Sequence, residues 1–263
     1  MKYGFIGCGN MGGAIAKAMV QSTDDIMLTS STGITAMKLA QELNVISGSN
    51  LEAAQQCDYL FLGVKPHMIR GVLNELREIL VSRRPVIISM AAGVEIKAIS
   101  DCLDADYPVV RIMPNTPVSV GKGVVLYLKN DAVTDDEMDT ILSDMRFCGE
   151  LIPIDEPHMD AACALSGCGP AFVYQFIEAL ADGAVACGLK RADAMKLACL
   201  TLEGAAKLCE TSGKHPGQLK DEVCSPSGST IEGVLELEKN GFRGAVSGAV
   251  RAAFEKNGKL GKG

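Results

Sequence analysis

Gly7-Cys8-Gly9-Asn10-Met11-Gly12 follows directly on an apolar run, Tyr3-Gly4-Phe5-Ile6, and opens a helical pattern over residues 12–20. A GxGxxG pattern by itself is weak. Between a strand and a helix it leaves few folds open, because each glycine answers a separate steric demand. The first permits a tight turn, the second lets a pyrophosphate approach the backbone, and the third lets helix and strand pack closely. The helix N-terminus then offers free N–H groups and a positive dipole end to phosphates. A glycine turn without a ligand is the competing reading.

Further strands are expected at residues 26–29, 58–64, 85–89, 109–113, 123–128 and 151–154, with helices over 35–43 and 68–80. Continuous apolar strands separated by helices imply a mainly parallel sheet covered on both faces. After about Asp155 no strand is expected. Helical patterns run roughly over 157–187, 192–211, 229–240 and 243–257, with Gly188, Gly213, Gly241 and Gly258 as C-terminal stops. The expected fold class is therefore α/β: a Rossmann-like dinucleotide-binding domain over residues 1–155, followed by an all-helical domain over 156–263. Within 170–187 the polar residues Gln175, Glu178 and Asp182 share one narrow face. A helix apolar over most of its circumference must be buried on most sides. That burial is expected in a subunit interface rather than at the centre of its own domain, because the following helices are also rich in Ala, Leu and Cys.

The 263 residues carry 32 acidic against 25 basic side chains, for a formal charge of −7. With no Lys/Arg block, neither nucleic acid nor an anionic membrane surface is an expected partner. No spanning helix is expected, since Gln175, Glu178 and Asp182 break the most apolar stretch. Asn10 and Lys17 interrupt any leader-like reading of the N-terminus. The ten cysteines are then expected as reduced thiols in the cytoplasm. No CxxC pair and only three histidines make a metal site unexpected.

Several segments carry candidate chemistry. The second strand ends in Thr29-Ser30-Ser31-Thr32. A carboxylate there would hold the 2′-hydroxyl of NAD, whereas neutral hydroxyls accept a 2′-phosphate. NADPH is therefore the favoured cofactor, with NADH also usable; simple N-capping of the next helix is compatible with this. Val64-Lys65-Pro66 ends another strand at the edge where ligands bind, although a plain surface lysine is the alternative. Ala91-Ala92-Gly93 leaves room for a flat ring. Asn115, in the stiff Met113-Pro114-Asn115-Thr116-Pro117 loop, either offers its amide to a ligand or only braces a turn. Ser225-Pro226-Ser227-Gly228-Ser229-Thr230 precedes a helix, and its N–H groups would make a nest for a small carboxylate; Ser229 or Thr230 as a mere N-cap is the alternative. Ser166-Gly167-Cys168-Gly169-Pro170 is read as a structural turn. No nucleophile–base pair or carboxylate pair is recognisable, which suits hydride transfer, where the cofactor carries the chemistry.

Taken in order, GFIGCGNMG (4–12), FLGVKP (61–66), AAGV (91–94), RIMPNTP (111–117), ALSGCGPAF (164–172), HPGQLKDEVCSPSGST (215–230) and GFRGAV (241–246) resemble the pyrroline-5-carboxylate reductase family almost end to end. The resemblance implies NAD(P)H-dependent reduction of 1-pyrroline-5-carboxylate to L-proline, the last step of proline biosynthesis. It implies a helical domain that intertwines in a homodimer, with dimers assembling further into rings. It assigns Ile6, Gly7, Cys8, Gly9, Asn10 and Met11 to the pyrophosphate and Ser31 to the 2′-phosphate. Asn50, Gly63, Val64, Lys65, Pro66, Met90, Ala91 and Ala92 fall to the rest of the cofactor. Ser225, Gly228, Ser229 and Thr230 fall to the substrate, with the Thr230 hydroxyl as the catalytic group near the ring nitrogen. The chain departs from the family at Ser227, where a second glycine is usual; a positive φ there would strain serine. Another two-domain dehydrogenase, a non-catalytic NADPH sensor and a reductase of the six-membered imine are the rival readings.

Overall fold

The computed structural model describes residues 1–104 and 106–260. Its first strand, β1 (Tyr3–Ile6), is buried along its whole length. Tyr3 and Phe5 point into one core and Ile6 into another, as the two-residue side-chain period of a strand requires. The same alternation recurs along β2 (Ile26–Thr29), β4 (Tyr59–Leu62) and β5 (Val86–Ser89). With β3 (Ile46–Ser47), β6 (Val109–Pro114), β7 (Gly123–Lys129) and β8 (Gly149–Pro153) they form one eight-stranded sheet in the order β3-β2-β1-β4-β5-β6-β7-β8. All neighbours are parallel except β6 and β7. Only the short 3-10 segment Thr116–Val120 joins that pair, and a parallel return needs a longer crossover.

Helices cover both faces. α1 (Asn10–Met19), α2 (Ile34–Leu43) and α6 (Asp135–Asp144) bury their apolar sides on the Phe5 face, where Phe5 and Phe61 stack with centroids 4.3 Å apart. α3 (Asn50–Gln56), α4 (Ile69–Arg83) and α5 (Ile96–Leu103) cover the Ile6 face. In α4 the buried residues are Ile69, Leu73, Leu76 and Leu80, one stripe at helical spacing. The helices α3, α5 and α6 and the two-residue β3 lie outside the sequence expectations. α3 and α6 nevertheless start on complete capping boxes, Ser49 with Glu52 and Thr134 with Glu137.

The chain forms two compact units. One is Met1–Cys168 together with the residues from Ala253 on; the other is Gly169–Ala252. The helical pattern expected over 157–187 is in fact α7 (Met159–Ser166) and α8 (Gly169–Ala186). α7 belongs to the first unit, because Met159 and Cys163 bury against Met113 and Leu126 of the sheet. The compact units thus divide after Cys168, later than the change of sequence pattern at 155. The second unit holds α8, α9 (Arg191–Ser212), α10 (Pro216–Val223), α11 (Ser229–Lys239) and the start of α12 (Phe242–Leu260). Gly188, Gly213 and Gly241 end helices with positive φ, as expected, but Gly258 lies inside α12 and stops nothing. Within α8 only Ala181 is buried, while Val173, Tyr174 and Leu180 are exposed. No helix among the described residues is long and apolar enough to cross a membrane.

β1 and β4 meet where the strand order reverses, and the backbone turns that follow them touch. Gly7 turns with φ +93°. A Cβ on Gly12 would stand 2.5 Å from the Gly7 carbonyl oxygen, and one on Gly63 would overlap that same oxygen. Neither neighbour can retreat, because both are backbone. Gly63→Ala is therefore expected to cost at least about 2 kcal/mol of stability and to weaken dinucleotide binding, checked by thermal unfolding and by a cofactor fluorescence titration.

Candidate active site

Register places the candidate cofactor residues of the first unit at one edge. Ile6 lies opposite Thr29 and Leu62, and Leu62 lies opposite Ser89. The loops beginning at Gly7, Ser30, Gly63 and Met90 therefore leave the sheet at the same level, at the carboxyl ends of the strands. In open parallel sheets that edge, at the reversal of strand order, is where ligands bind.

The amides of Gly7 and Cys8 both donate to the Thr29 carbonyl, at 3.2 and 3.1 Å, and the Gly63 amide donates to the Ile6 carbonyl at 2.9 Å. These three N–H groups shape the loop and are not free for phosphate. The Cys8 thiol is buried, which raises its pKa and keeps it protonated. Gly9 caps α1, so the first-turn amides of Asn10 and Met11 have no helical acceptor. Gly9 and Asn10 are exposed, and a Cβ on Gly9 would meet nothing within 4 Å. That open space above a helix N-terminus fits a pyrophosphate.

At the end of β2 the hydroxyls divide their work. Ser30 Oγ accepts from the Ala36 amide at 3.2 Å and so helps to cap α2. Ser31 is exposed, and its hydroxyl has no protein partner among the described residues. Thr29 is buried and its hydroxyl donates to Asn50 Oδ1, which fixes the Asn50 side chain at the first turn of α3. No carboxylate stands at the end of this strand, so the edge fits a 2′-phosphate. Val64 packs on the Ile6-face core, Lys65 is exposed, and Pro66 starts the 3-10 turn that leads to α4. Met90 and Ala92 are half-buried and Ala91 is buried.

Asn115 is a different case. It is 7% exposed, its Nδ2 donates to the Ser166 carbonyl at 2.9 Å, and its Oδ1 accepts from the Val124 amide at 2.8 Å. Its amide is consumed in bracing α7 and β7, so the bracing reading replaces the ligand reading. Arg111 stands in the RIMPNTP segment with no role expected for its side chain. It is a fully buried charge on β6, bonded to Glu156. The available signal was a lone arginine in an otherwise apolar strand, which must find a carboxylate partner when buried.

In the second unit the Gly228 amide donates to the Ser225 carbonyl at 3.0 Å, closing a turn over Pro226 and Ser227. Proline first and a positive φ second is the pattern of a type II turn, and Ser227 sits at φ +58°. Gly228 is the N-cap of α11, and among the described residues no side chain caps this helix. The N-cap reading of Ser229 and Thr230 is thereby removed: they are the first two helical residues. Ser225, Ser229 and Thr230 are exposed, and none of their hydroxyls has a protein partner among the described residues. The turn thus presents free hydroxyls beside the unbonded first-turn amides of α11, a donor set suited to a small carboxylate.

Known proteins with this arrangement are recognisable. Residues 156–260 match the family model described as pyrroline-5-carboxylate reductase dimerisation, and residues 2–93 match NADP oxidoreductase coenzyme F420-dependent. The chain is 39% identical over 267 residues to the pyrroline-5-carboxylate reductase of Escherichia coli (strain K12), covering 99% of this chain and 98% of that protein. It is 39% identical over 265 residues to the one from Pisum sativum, covering 98% and 95%. A crystal structure of Plasmodium falciparum pyrroline carboxylate reductase with NADP bound superposes with a TM-score of 0.90 at 34% identity, covering 99% of this chain and 98% of that one. The 1-pyrroline-5-carboxylate reductase of Streptococcus pyogenes gives 0.91 at 31% identity, with 98% of each chain covered.

Ser227 in the left-handed region costs about 1–2 kcal/mol, and glycine there loses about 0.5–1 kcal/mol of that gain to unfolded-chain entropy. Ser227→Gly should therefore stabilise the protein by about 0.5–1 kcal/mol, seen as a raised Tm at fixed protein concentration.

Proposed function

The chain belongs to the pyrroline-5-carboxylate reductase family, and we propose that the turn at residues 225–230 is where it holds its substrate. The enzyme reduces 1-pyrroline-5-carboxylate to L-proline with NADPH, as an oxidoreductase of proline biosynthesis. The observation that carries the substrate assignment is the set of unpartnered groups at the start of α11: the hydroxyls of Ser225, Ser229 and Thr230 beside its open amides. A carboxylate needs several donors of this kind, and no side chain of the turn already occupies them.

NADPH supplies the hydride when bound. The first-turn amides of α1 hold its pyrophosphate, with Gly7, Cys8 and Gly9 shaping the approach and Ile6 ending the strand beneath. Ser31 meets the 2′-phosphate, and Asn50, anchored by Thr29, faces the same edge. Gly63, Val64, Lys65, Pro66, Met90, Ala91 and Ala92 border the remainder of the cofactor. On the substrate, the α11 amides and the Ser225 and Ser229 hydroxyls bind the carboxylate, while Gly228 lets it approach the backbone. The Thr230 hydroxyl holds the ring nitrogen and fixes which face of the C=N carbon is presented. No acid–base pair is required, because orientation supplies most of the acceleration.

The helical unit exposes Val173, Tyr174, Leu197, Leu200 and Leu208, more apolar side chain than water-facing helices carry. We read these faces as covered in a homodimer, with dimers joining into a larger ring. The ten cysteines are free thiols, which suits a reducing cytoplasm.

With purified enzyme, Thr230→Ala is expected to lower kcat about tenfold to a hundredfold, or about 1.4–2.7 kcal/mol, with the NADPH Kd within twofold of wild type; an undiminished kcat would remove the role given to this hydroxyl. Ser31→Asp sets a charge against the 2′-phosphate. Its KM for NADPH should rise about tenfold while that for NADH changes less than about threefold, read from steady-state rates with each cofactor.

A further inference from the structure

Thr29, the last residue of β2, is fully buried and serves the cofactor edge in two ways. Its carbonyl accepts the Gly7 amide at 3.2 Å and the Cys8 amide at 3.1 Å. Its hydroxyl donates to Asn50 Oδ1. The two functions are separable, because the carbonyl belongs to the backbone and survives a change of side chain, whereas the hydroxyl reaches Asn50. Asn50 is the first residue of α3, and the Ser49–Glu52 capping box fixes the main chain there. The Gly48 amide, bonded to the Leu28 carbonyl at 3.0 Å, holds the preceding loop against β2. With the main chain held, the orientation of the Asn50 carboxamide is what the Thr29 hydroxyl decides.

A carboxamide carries an acceptor at one end and donors at the other. The Thr29 hydroxyl engages the acceptor end, and Asn50 Nδ2 has no protein partner among the described residues. Asn50 is half-buried, so its free donors remain open to a ligand that accepts. The ionised 2′-phosphate of NADPH offers only acceptors, whereas the 2′-hydroxyl of NADH both donates and accepts. A carboxamide turned about would present Oδ1 instead, which still suits a hydroxyl and opposes a phosphate. Residues 30–37 include neither Arg nor Lys. The arginine that can accommodate a 2′-phosphate in such sites is therefore missing from this stretch, and neutral donors have to make the distinction.

We propose that Thr29 is a positioning residue for cofactor choice: its hydroxyl holds Asn50 with the amide nitrogen towards the ligand, and this favours NADPH over NADH. This rests on the assignment of Ser31 to the 2′-phosphate and of Asn50 to the same edge. Thr29 is buried and acts through Asn50, so its effect must appear in the relative affinity for the two cofactors and not in stability alone.

The test titrates NADPH and NADH by fluorescence into the full-length enzyme carrying Thr29→Val, Thr29→Ser, Asn50→Ala or Thr29→Val with Asn50→Ala, with Ser31→Asp measured beside them. Valine keeps the branched shape and strand preference of the side chain and removes only the hydroxyl. In Thr29→Val the NADPH Kd is expected to rise about threefold to tenfold, while the NADH Kd stays within about twofold of wild type. Thr29→Ser, which keeps the hydroxyl and loses the methyl, should bring the NADPH Kd back to within about twofold of wild type. The double variant should bind NADPH within about twofold of Asn50→Ala, because the hydroxyl acts only through that residue. An unchanged NADPH Kd in Thr29→Val would overturn the proposal. Equal losses of NADPH and NADH would also overturn it and mark a support of the glycine loop instead. A double variant clearly weaker than Asn50→Ala would do the same. A raised NADPH Kd in Ser31→Asp beside an unchanged Thr29→Val would leave the 2′-phosphate assignment standing without this inference. Undiminished NADPH affinity in Ser31→Asp would remove both together. Should Thr29→Val fail to fold, Thr29→Ala removes the same hydroxyl and decides.

Discussion

Everything at the cofactor edge depends on how closely two backbones approach. The Gly7 carbonyl oxygen is pressed from one side by Gly12 and from the other by Gly63, with no room for a Cβ on either. Gly12 opens the packing of α1 on β1, and Gly63 closes the junction of β1 with β4. The three glycines lie at the place where the strand order reverses. Because that contact is backbone on backbone, it cannot relax by a change of rotamer. The Gly7, Cys8 and Gly63 amides add hydrogen bonds to neighbouring strand ends, so the loop is rigid before any ligand arrives. Rigidity of this kind leaves Asn10 and Met11 as the amides that face outward.

Polar groups buried near this edge are used to join elements. Asn115 spends both ends of its amide on β7 and α7, Thr29 spends its hydroxyl on Asn50, and Arg111 spends its charge on Glu156. Each would be costly to bury without its partner. Each consequently selects one placement of the element it reaches. The apolar cores on the two faces of the sheet hold the strands and helices together; these few polar ties decide where the connections leave the sheet.

The helical unit follows a different economy. Its internal contact is small, centred on Ala181, Ala194 and Ala198, and many of its large apolar side chains face outward. The match of residues 156–260 to a dimerisation family gives that surface its physical reason: apolar area that one chain leaves exposed is buried by association. The turn before α11 is kept free of such packing and presents hydroxyls and amides instead, at the expense of strain at Ser227.

Much of this was legible in the amino-acid sequence because it depends on geometry within one element or one turn. The GxGxxG spacing, the alternation of Phe5 and Ile6, the hydroxyls after β2 and the glycine stops at 188, 213 and 241 all act over a few residues. The capping boxes Ser49–Glu52 and Thr134–Glu137 are equally local, and reading them would have placed α3 and α6. Gly258 misled because a glycine inside a long helix looks like one that ends it. What only the tertiary structure decided is partnership. Ser30 caps α2 while Ser31 stays free, Asn115 braces rather than binds, and Arg111 finds Glu156, which lies 45 residues away in sequence. The physical reason is that a side chain's partner is set by which elements the crossovers bring together, and local periodicity carries no record of that distance.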